Sequence, residues 1–148
     1  MIRQMNETDL PEVMEIWLQT NEEAHDFIPA DYWRENYDKV KTLLPQAEVF
    51  VYEKNVQLAG FIGMNGEYVA GIFVRQSARS QGVGKQLIHY VKDRKERLTL
   101  QVYEKNKRAV HFYQREGFHV LSKNLEDETG QTELQIEYVR ISETEASR

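Results

Sequence analysis

Gly82 and Gly84 stand where a β-branched run, Gly71-Ile72-Phe73-Val74, gives way through a short basic turn to an amphipathic helical pattern. Arg79 precedes them and Lys85 follows. That arrangement suits an anion. The first-turn amides of a helix lack intrahelical acceptors, and the helix dipole adds partial positive charge there. Glycine removes the side chains that would keep a phosphate from those amides. The segment lacks G-x-x-x-x-G-K-[ST], so it is not a nucleotide P-loop, and Leu87 occupies the place of the third glycine of the dinucleotide fingerprint. A diphosphate in some other ligand survives both exclusions, beside the plainer reading that the glycines serve only the turn.

A second group is spaced for a helix. Asn106, Ala109, Val110, Tyr113 and Gly117 fall on one helical face, which sets Tyr113 two turns from Asn106 and pointing the same way. Taken alone, Tyr113 reads as a core aromatic beside Phe112. His25, His89, His111 and His119 show no metal-ligand spacing. Cysteine is absent, which excludes disulfides, thiolate metal sites and cysteine nucleophiles. No metal is expected.

The elements that must position these groups follow from hydrophobic periodicity. Ile2–Met5 reads as a short strand. Asp9 and Glu12 look like a capping box opening a helix whose apolar face is Leu10, Val13, Met14 and Trp17. His25–Ala30 reads as a loop, and a second helix runs from about Asp31 to Leu44, before Pro45. Val49–Tyr52 and Leu58–Met64 pair as strands turning at Lys54-Asn55, and Asn65-Gly66 offers a tight hairpin into Tyr68–Val74. A helix carrying Val83, Leu87, Tyr90 and Val91 on one face follows, then strand Leu98–Tyr103 and helix Lys107–Glu116, stopped at Gly117. Phe118–Ser122 and Leu134–Arg140 close the chain as strands. The order βααβββαβαββ predicts an α/β or α+β sandwich, a mixed sheet with helices on both faces.

At 148 residues, with 41% hydrophobic and 29% charged side chains, the chain fits one globular domain. We take residues 1–141 as that domain and 142–148 as a frayed tail. No apolar run approaches the roughly 20 residues of a membrane helix, and the N-terminus lacks the apolar core of a signal peptide. A cytoplasmic location is the default expectation. The net charge of −5 is unevenly spread. Residues 1–72 carry 13 acids against 5 bases, residues 73–115 carry 3 against 11, and residues 116–148 carry 8 against 3. The basic middle suits an anionic ligand and the acidic flanks a cationic one, although two solvated faces of opposite sign would look the same.

With these residues in view, Arg79-x-x-Gly82-x-Gly84 after Gly71–Val74 resembles the acetyl-CoA signature of the GNAT superfamily of N-acetyltransferases. Asn106-x-x-Ala109-x-x-Phe112-Tyr113-x-x-x-Gly117-Phe118 resembles the superfamily's other motif. The two lie in the expected order, separated by one strand. The likeness covers essentially the whole chain and implies a GNAT-like fold with a mixed, mostly antiparallel central sheet. Leu10-Pro11, Ile16-Trp17, His25-Asp26-Phe27-Ile28 and Tyr32-Trp33 resemble the small bacterial GNAT proteins of the YiaC and YjaB type.

The resemblance implies that Ile72, Phe73 and Val74 pair by their backbone with the pantetheine arm of CoA. The amides of Arg79, Ser80, Gln81, Gly82, Val83, Gly84 and Lys85 would then hold the diphosphate. Asn106 would lie near the pantetheine, and Tyr113 would be the general acid that protonates the departing CoA thiolate. A phenol near pKa 10 and a thiol near 8.5 differ by only ~2 kcal/mol. His25, Phe27, Tyr32 and Trp33 would wall the acceptor pocket, with Glu22, Glu23 and Asp26 supplying negative charge. Candidate bases for the acceptor amine are His25, Glu67 and Tyr103, each with a plainer structural reading. The implied function is acetyl-CoA-dependent transfer to a primary amine by direct attack in a ternary complex, on a protein lysine or N-terminal amine. A polyamine, amino acid or aminoglycoside is the alternative acceptor, and a CoA-binding module without catalysis the less favoured one. An aminoacyl-tRNA acceptor would call for a basic footprint that the net charge opposes, so no nucleic-acid or membrane partner is expected. The chain is expected to be a monomer or homodimer.

Overall fold

The computed structural model describes residues 1–141, so the expected tail at 142–148 lies outside the described residues. Seven strands and four helices run in the predicted order: β1 (Ile2–Gln4), α1 (Leu10–Ala24), α2 (Ala30–Leu43), β2 (Glu48–Lys54), β3 (Gln57–Asn65), β4 (Tyr68–Val74), α3 (Val83–Lys92), β5 (Arg97–Tyr103), α4 (Lys107–Arg115), β6 (His119–Leu125) and β7 (Thr132–Val139). No described helix is long and apolar enough to cross a membrane.

The strands form one sheet in the order β1-β2-β3-β4-β5-β7-β6. Every neighbouring pair is antiparallel except β4 and β5, which run parallel and meet at a single register position, Tyr68 opposite Thr99. Beyond that point β4 has a partner only in β3. The register between β3 and β4 shifts where Gly63 faces Gly71 and Met64 faces Val69, which leaves Ala70 as an extra residue. A bulge of this kind bends its strand and increases local twist, and it turns β4 away from β5. The sheet therefore opens in its middle. It also inverts side-chain parity, so Val69, Ile72 and Val74 all reach the same core.

Helices cover both faces, as the element order requires. Val83, Leu87, Ile88 and Val91 of α3 and Tyr113 of α4 pack over Leu98, Leu100 and Val102 on one face. Val13, Met14, Ile16 and Trp17 of α1 and Trp33 of α2 pack over Val49, Val51 and Phe61 on the other. β3 is covered from both sides, and Leu58 through Met64 are buried. An all-apolar rather than alternating strand is what two-sided coverage selects.

Two local readings need correction. The capping box is three residues earlier than expected: the Asn6 side chain accepts from the Thr8 amide at 3.1 Å, and Asp9 reaches back to the Asn6 amide at 2.8 Å, around a short 3₁₀ turn at Glu7–Asp9. Glu12 is used elsewhere. It accepts from the Leu58 amide at 2.9 Å and from Arg75 at 3.0 Å, tying α1 to the end of β4. The β2–β3 turn is Asn55-Val56 rather than Lys54-Asn55. Lys54 still pairs with Gln57, and both turn residues have positive φ, 54° and 68°.

Candidate active site

The turn before α3 is built to expose amides. Gly82, at φ 81°, is the left-handed N-cap of α3, and Ser80 is also left-handed at φ 66°. Left-handed residues interleaved with ordinary ones turn successive N–H groups toward a common concavity. The first α3 hydrogen bond runs from the Gln86 amide to the Gly82 carbonyl at 3.0 Å. The Ser80 to Lys85 amides precede that bond and have no backbone acceptor among the described residues. Arg79 departs from the expected set. Its amide is donated to the Gln76 carbonyl at 3.2 Å and its guanidinium lies 3.4 Å from Glu23. Arg79 therefore supplies charge at the rim rather than an amide. Gln81 also turns its side chain away, accepting from Lys54 at 2.9 Å.

A cleft of about 570 Å³ runs from this turn into the gap between β4 and β5. Ile72, Phe73, Val74, Arg79, Ser80, Gly82, Val83, Gly84, Lys85, His25, Asn106 and Tyr113 all line it, so the two sequence motifs meet there as expected. The strand edge that β4 withholds from β5 forms its inner wall. An unpaired edge of this kind can bind the amides of an extended ligand as it would a peptide. Phe73 stacks on Phe61 at 4.8 Å, and a Cβ on Gly71 would fall 2.4 Å from its ring. Gly71 thus makes room for Phe73. Lining residues not singled out from the sequence include Thr20 and Asn21 of α1, and Arg108 and Arg115 of α4. The two arginines belong to the basic middle segment whose charge had suggested an anion.

Tyr113 is 6% exposed, with its ring edge-on to Phe112 and Phe118. Its hydroxyl makes no hydrogen bond to any described residue, and burial pushes the phenol well above its ordinary pKa. The ~2 kcal/mol gap to the thiol therefore widens. At rest the phenol is therefore protonated and can serve as a proton donor, its phenolate existing only in passing. Asn106 caps α4, its Oδ1 accepting from the Ala109 amide at 3.3 Å, while its Nδ2 lies 3.2 Å from His25 Nε2. That geometry makes Nε2 the acceptor and puts the imidazole proton on Nδ1, which is buried without a partner.

The predicted acceptor residues lie beyond His25 and not all face the cleft. His25 stacks on Trp33 at 5.1 Å and meets Phe27 and Tyr103 edge-on at 5.7 and 5.2 Å. Trp33 is 7% exposed and packs on Trp17, so it backs His25 from the core and is not a pocket wall. Tyr32 donates to Glu128 at 2.8 Å, and Tyr103 donates to Glu126 at 2.7 Å. None of the three candidate bases keeps a suitable free group. Burial lowers His25 to about 4, some six units below a lysine amine near 10.4, a gap of roughly 9 kcal/mol. Burial and the Glu126 contact raise Tyr103, whose hydroxyl is already a donor. Glu67 sits at the β3–β4 hairpin, exposed, 3.6 Å from Arg97. The carboxylates that the sequence left unnoticed, Glu126 and Glu133, instead face Tyr32, Tyr68 and Tyr103. No cluster able to hold a metal occurs among the described residues.

The family described as the acetyltransferase (GNAT) domain matches residues 11–131. This chain belongs to the GNAT acetyltransferases. It is 40% identical over 131 residues to the peptidyl-lysine N-acetyltransferase YiaC of Escherichia coli strain K12, covering 87% of this chain and 90% of that protein. Over 130 residues it is 32% identical to the peptidyl-lysine N-acetyltransferase YjaB of the same strain, covering 87% and 88%. The solution structure of apo YjaB from Escherichia coli superposes with a TM-score of 0.83 at 30% identity, covering 95% of this chain and 98% of that one. This GNAT chain is an acetyl-CoA-dependent N-acetyltransferase. Its seven-stranded mixed sheet is the fold the motifs implied.

Proposed function

We propose that this acetyltransferase acetylates lysine side chains of proteins by direct attack of the amine on bound acetyl-CoA. The carrying observation is that the acceptor-free amides after Arg79, the open edge of β4 and the Tyr113 hydroxyl line one cleft. The names of YiaC and YjaB support lysine as the acceptor, and the acidic, aromatic surroundings of Tyr32 and Tyr103 suit a cationic side chain.

In this reading the amides of Ser80 to Lys85 take the diphosphate, and β4 takes the pantetheine through its edge. The neutral amine attacks the thioester carbon, and the tetrahedral intermediate collapses with the electron pair leaving on sulfur. Tyr113 gives its proton to that sulfur, and the phenolate takes one from the nitrogen, which restores the phenol and leaves amide and thiol. Residues 1–141 act as one catalytic unit, as monomer or homodimer, without nucleic acid or membrane.

Mass spectrometry of lysine peptides and folded proteins incubated with acetyl-CoA tests the reading, with spermidine and free amino acids in parallel. Acetyl-lysine that depends on Tyr113 supports it. Turnover of the small amines alone would replace lysine as the acceptor.

A further inference from the structure

We propose that Glu133, set beside Glu126 on the open face of β7, receives the first proton of the incoming ammonium and so delivers the acceptor as a neutral amine. The inference rests on the acetyl-transfer reading above.

The sheet register places the carboxylate. Glu133 lies directly opposite Tyr103 of β5 and Asn124 of β6. Leu98, Leu100 and Val102 point into the α3/α4 core, so Tyr103 takes the other face, where it packs with the α1/α2 cluster. Side chains directly opposite across a pair of strands share a face, which puts Glu133 beside Tyr103. This face stays polar and accessible, with Gln101 exposed and Gln135 half-buried.

The face leads to the gap in the sheet. Tyr68 stands at the single position where β4 still meets β5, its hydroxyl 3.5 Å from Gln101. It lies close enough to Glu133 and Glu126 for both charges to oppose its ionisation, and it opposes that of Tyr113 in the same way. Tyr113, more than nine-tenths buried with an unpartnered hydroxyl on the cleft, is the far end of this run. An amine passing Glu133 and Tyr68 thus reaches the thioester side of the opening.

Of the two carboxylates, Glu133 is the less engaged. Glu126 Oε1 accepts from Tyr103 at 2.7 Å and from Thr129 at 2.6 Å, whereas Glu133 accepts from no neighbouring hydroxyl or amide side chain among the described residues. Burial and the Glu126 charge push Glu133 up to about 7, the pattern by which paired carboxylates divide acid and base roles. The groups around it are Tyr68 on β4, Tyr103 on β5, and Glu126, Thr129 and Glu128 in the β6–β7 turn, with Tyr32 of α2 held to Glu128. Lys123, paired with Glu104, lies opposite Leu134 and so on the other face of the sheet.

The step balances. The ammonium N–H bond breaks, its proton moves to a Glu133 oxygen and then to solvent, and the nitrogen keeps the lone pair that attacks the thioester. Tyr113 handles only the second proton.

The test is kcat/KM from pH 5.5 to 10 at saturating acetyl-CoA. The acceptors are a terminally blocked peptide with one lysine, and spermidine. Wild type should lose rate below pH 7. Glu133→Gln should fall about 100-fold at pH 7, the low end for a positioned base, and recover toward pH 10 as free amine accumulates. Glu126→Gln, which keeps an acceptor oxygen but removes the like charge, should move the acid limb to lower pH. Calorimetric affinity for CoA should be unchanged in both variants. A wild-type profile in Glu133→Gln, or a loss equal at every pH, overturns the proposal. Wild-type protein that binds CoA yet turns over neither acceptor overturns the transfer reading and this one with it.

Discussion

Replacing Tyr113 by Phe separates the chemistry of the phenol from its packing. The ring is wedged between Phe112 and Phe118, at centroid distances of 5.2 and 5.3 Å, and all of those contacts survive the change. The hydroxyl has no protein partner among the described residues, so its removal forfeits none of the 0.5–1.5 kcal/mol that a typical hydrogen bond contributes. The hydroxyl opens on the cleft and is not among the fully buried unpaired polar atoms, so its removal also relieves little desolvation cost. The variant should therefore melt within about 2 °C of wild type, as expected for a change of ~0.5 kcal/mol in a domain of this size. Activity should fall. A positioned proton donor is worth about 100- to 10,000-fold, or roughly 3–5 kcal/mol of barrier. Release of CoA thiol gives the rate, scanning fluorimetry the melting point, and calorimetry the affinity for CoA. A rate within threefold of wild type would show that the phenol is a core residue only. A fall of more than about 4 °C would show that the hydroxyl holds a contact absent from this account.

Val56 is 91% exposed and, at φ 68°, is a β-branched residue in the left-handed region. Val56→Gly should raise the midpoint of urea unfolding by about 1 kcal/mol equivalent, because the left-handed penalty is roughly 1–2 kcal/mol and glycine returns part of it as chain entropy. The two motif glycines should differ. Gly82→Ala meets no atom closer than 3.9 Å but must hold φ 81°, so it should cost about 1–2 kcal/mol in thermal unfolding and weaken CoA binding. Gly84→Ala places its Cβ at 3.7 Å from Phe112 and Val74, ordinary contact, and should leave the melting point of the free protein no lower than wild type. His25 is held neutral, with its pKa lowered from 6.5 to about 4. The unfolded chain takes up the proton first, so stability falls as pH drops from 6.5 toward 4, by about 3 kcal/mol. Urea titrations at pH 7.5 and 4.5 should show that His25→Asn removes this share of the pH dependence.

The fold was legible because each element carried its own period. Tyr68–Val74 was placed to the residue, and the β-branched run ending before a basic turn marked residues that line one end of the cleft. Hidden from the sequence were features set by strand pairing. Nothing local to Ala70 marks it as the extra residue that turns β4 from β5, since a bulge is a property of two strands. Trp33 looked like a pocket wall because aromatic residues flank a loop in the sequence. Only the packing of α2 on α1 shows that it faces Trp17. Glu126 and Glu133 were not singled out, because what sets Glu133 beside Tyr103 is the β5–β7 register, which joins residues 30 positions apart in the sequence. Asp9 misled for a related reason: its carboxylate is held by Arg3 at 2.7 Å and by the Asn6 amide, so its capping role points backward along the chain.

The lone Tyr68–Thr99 bridge makes the sheet two half-sheets, with β1 to β4 on one side and β5 to β7 on the other. Along most of that seam there is no ladder to keep the halves in step, and the helices clasp them from outside. In the proposed binding mode, a thioester arm lying against β4 would be a removable strand. The cosubstrate would then complete the enzyme's own architecture, which should be stiffest when loaded and loosest just after the spent thiol departs.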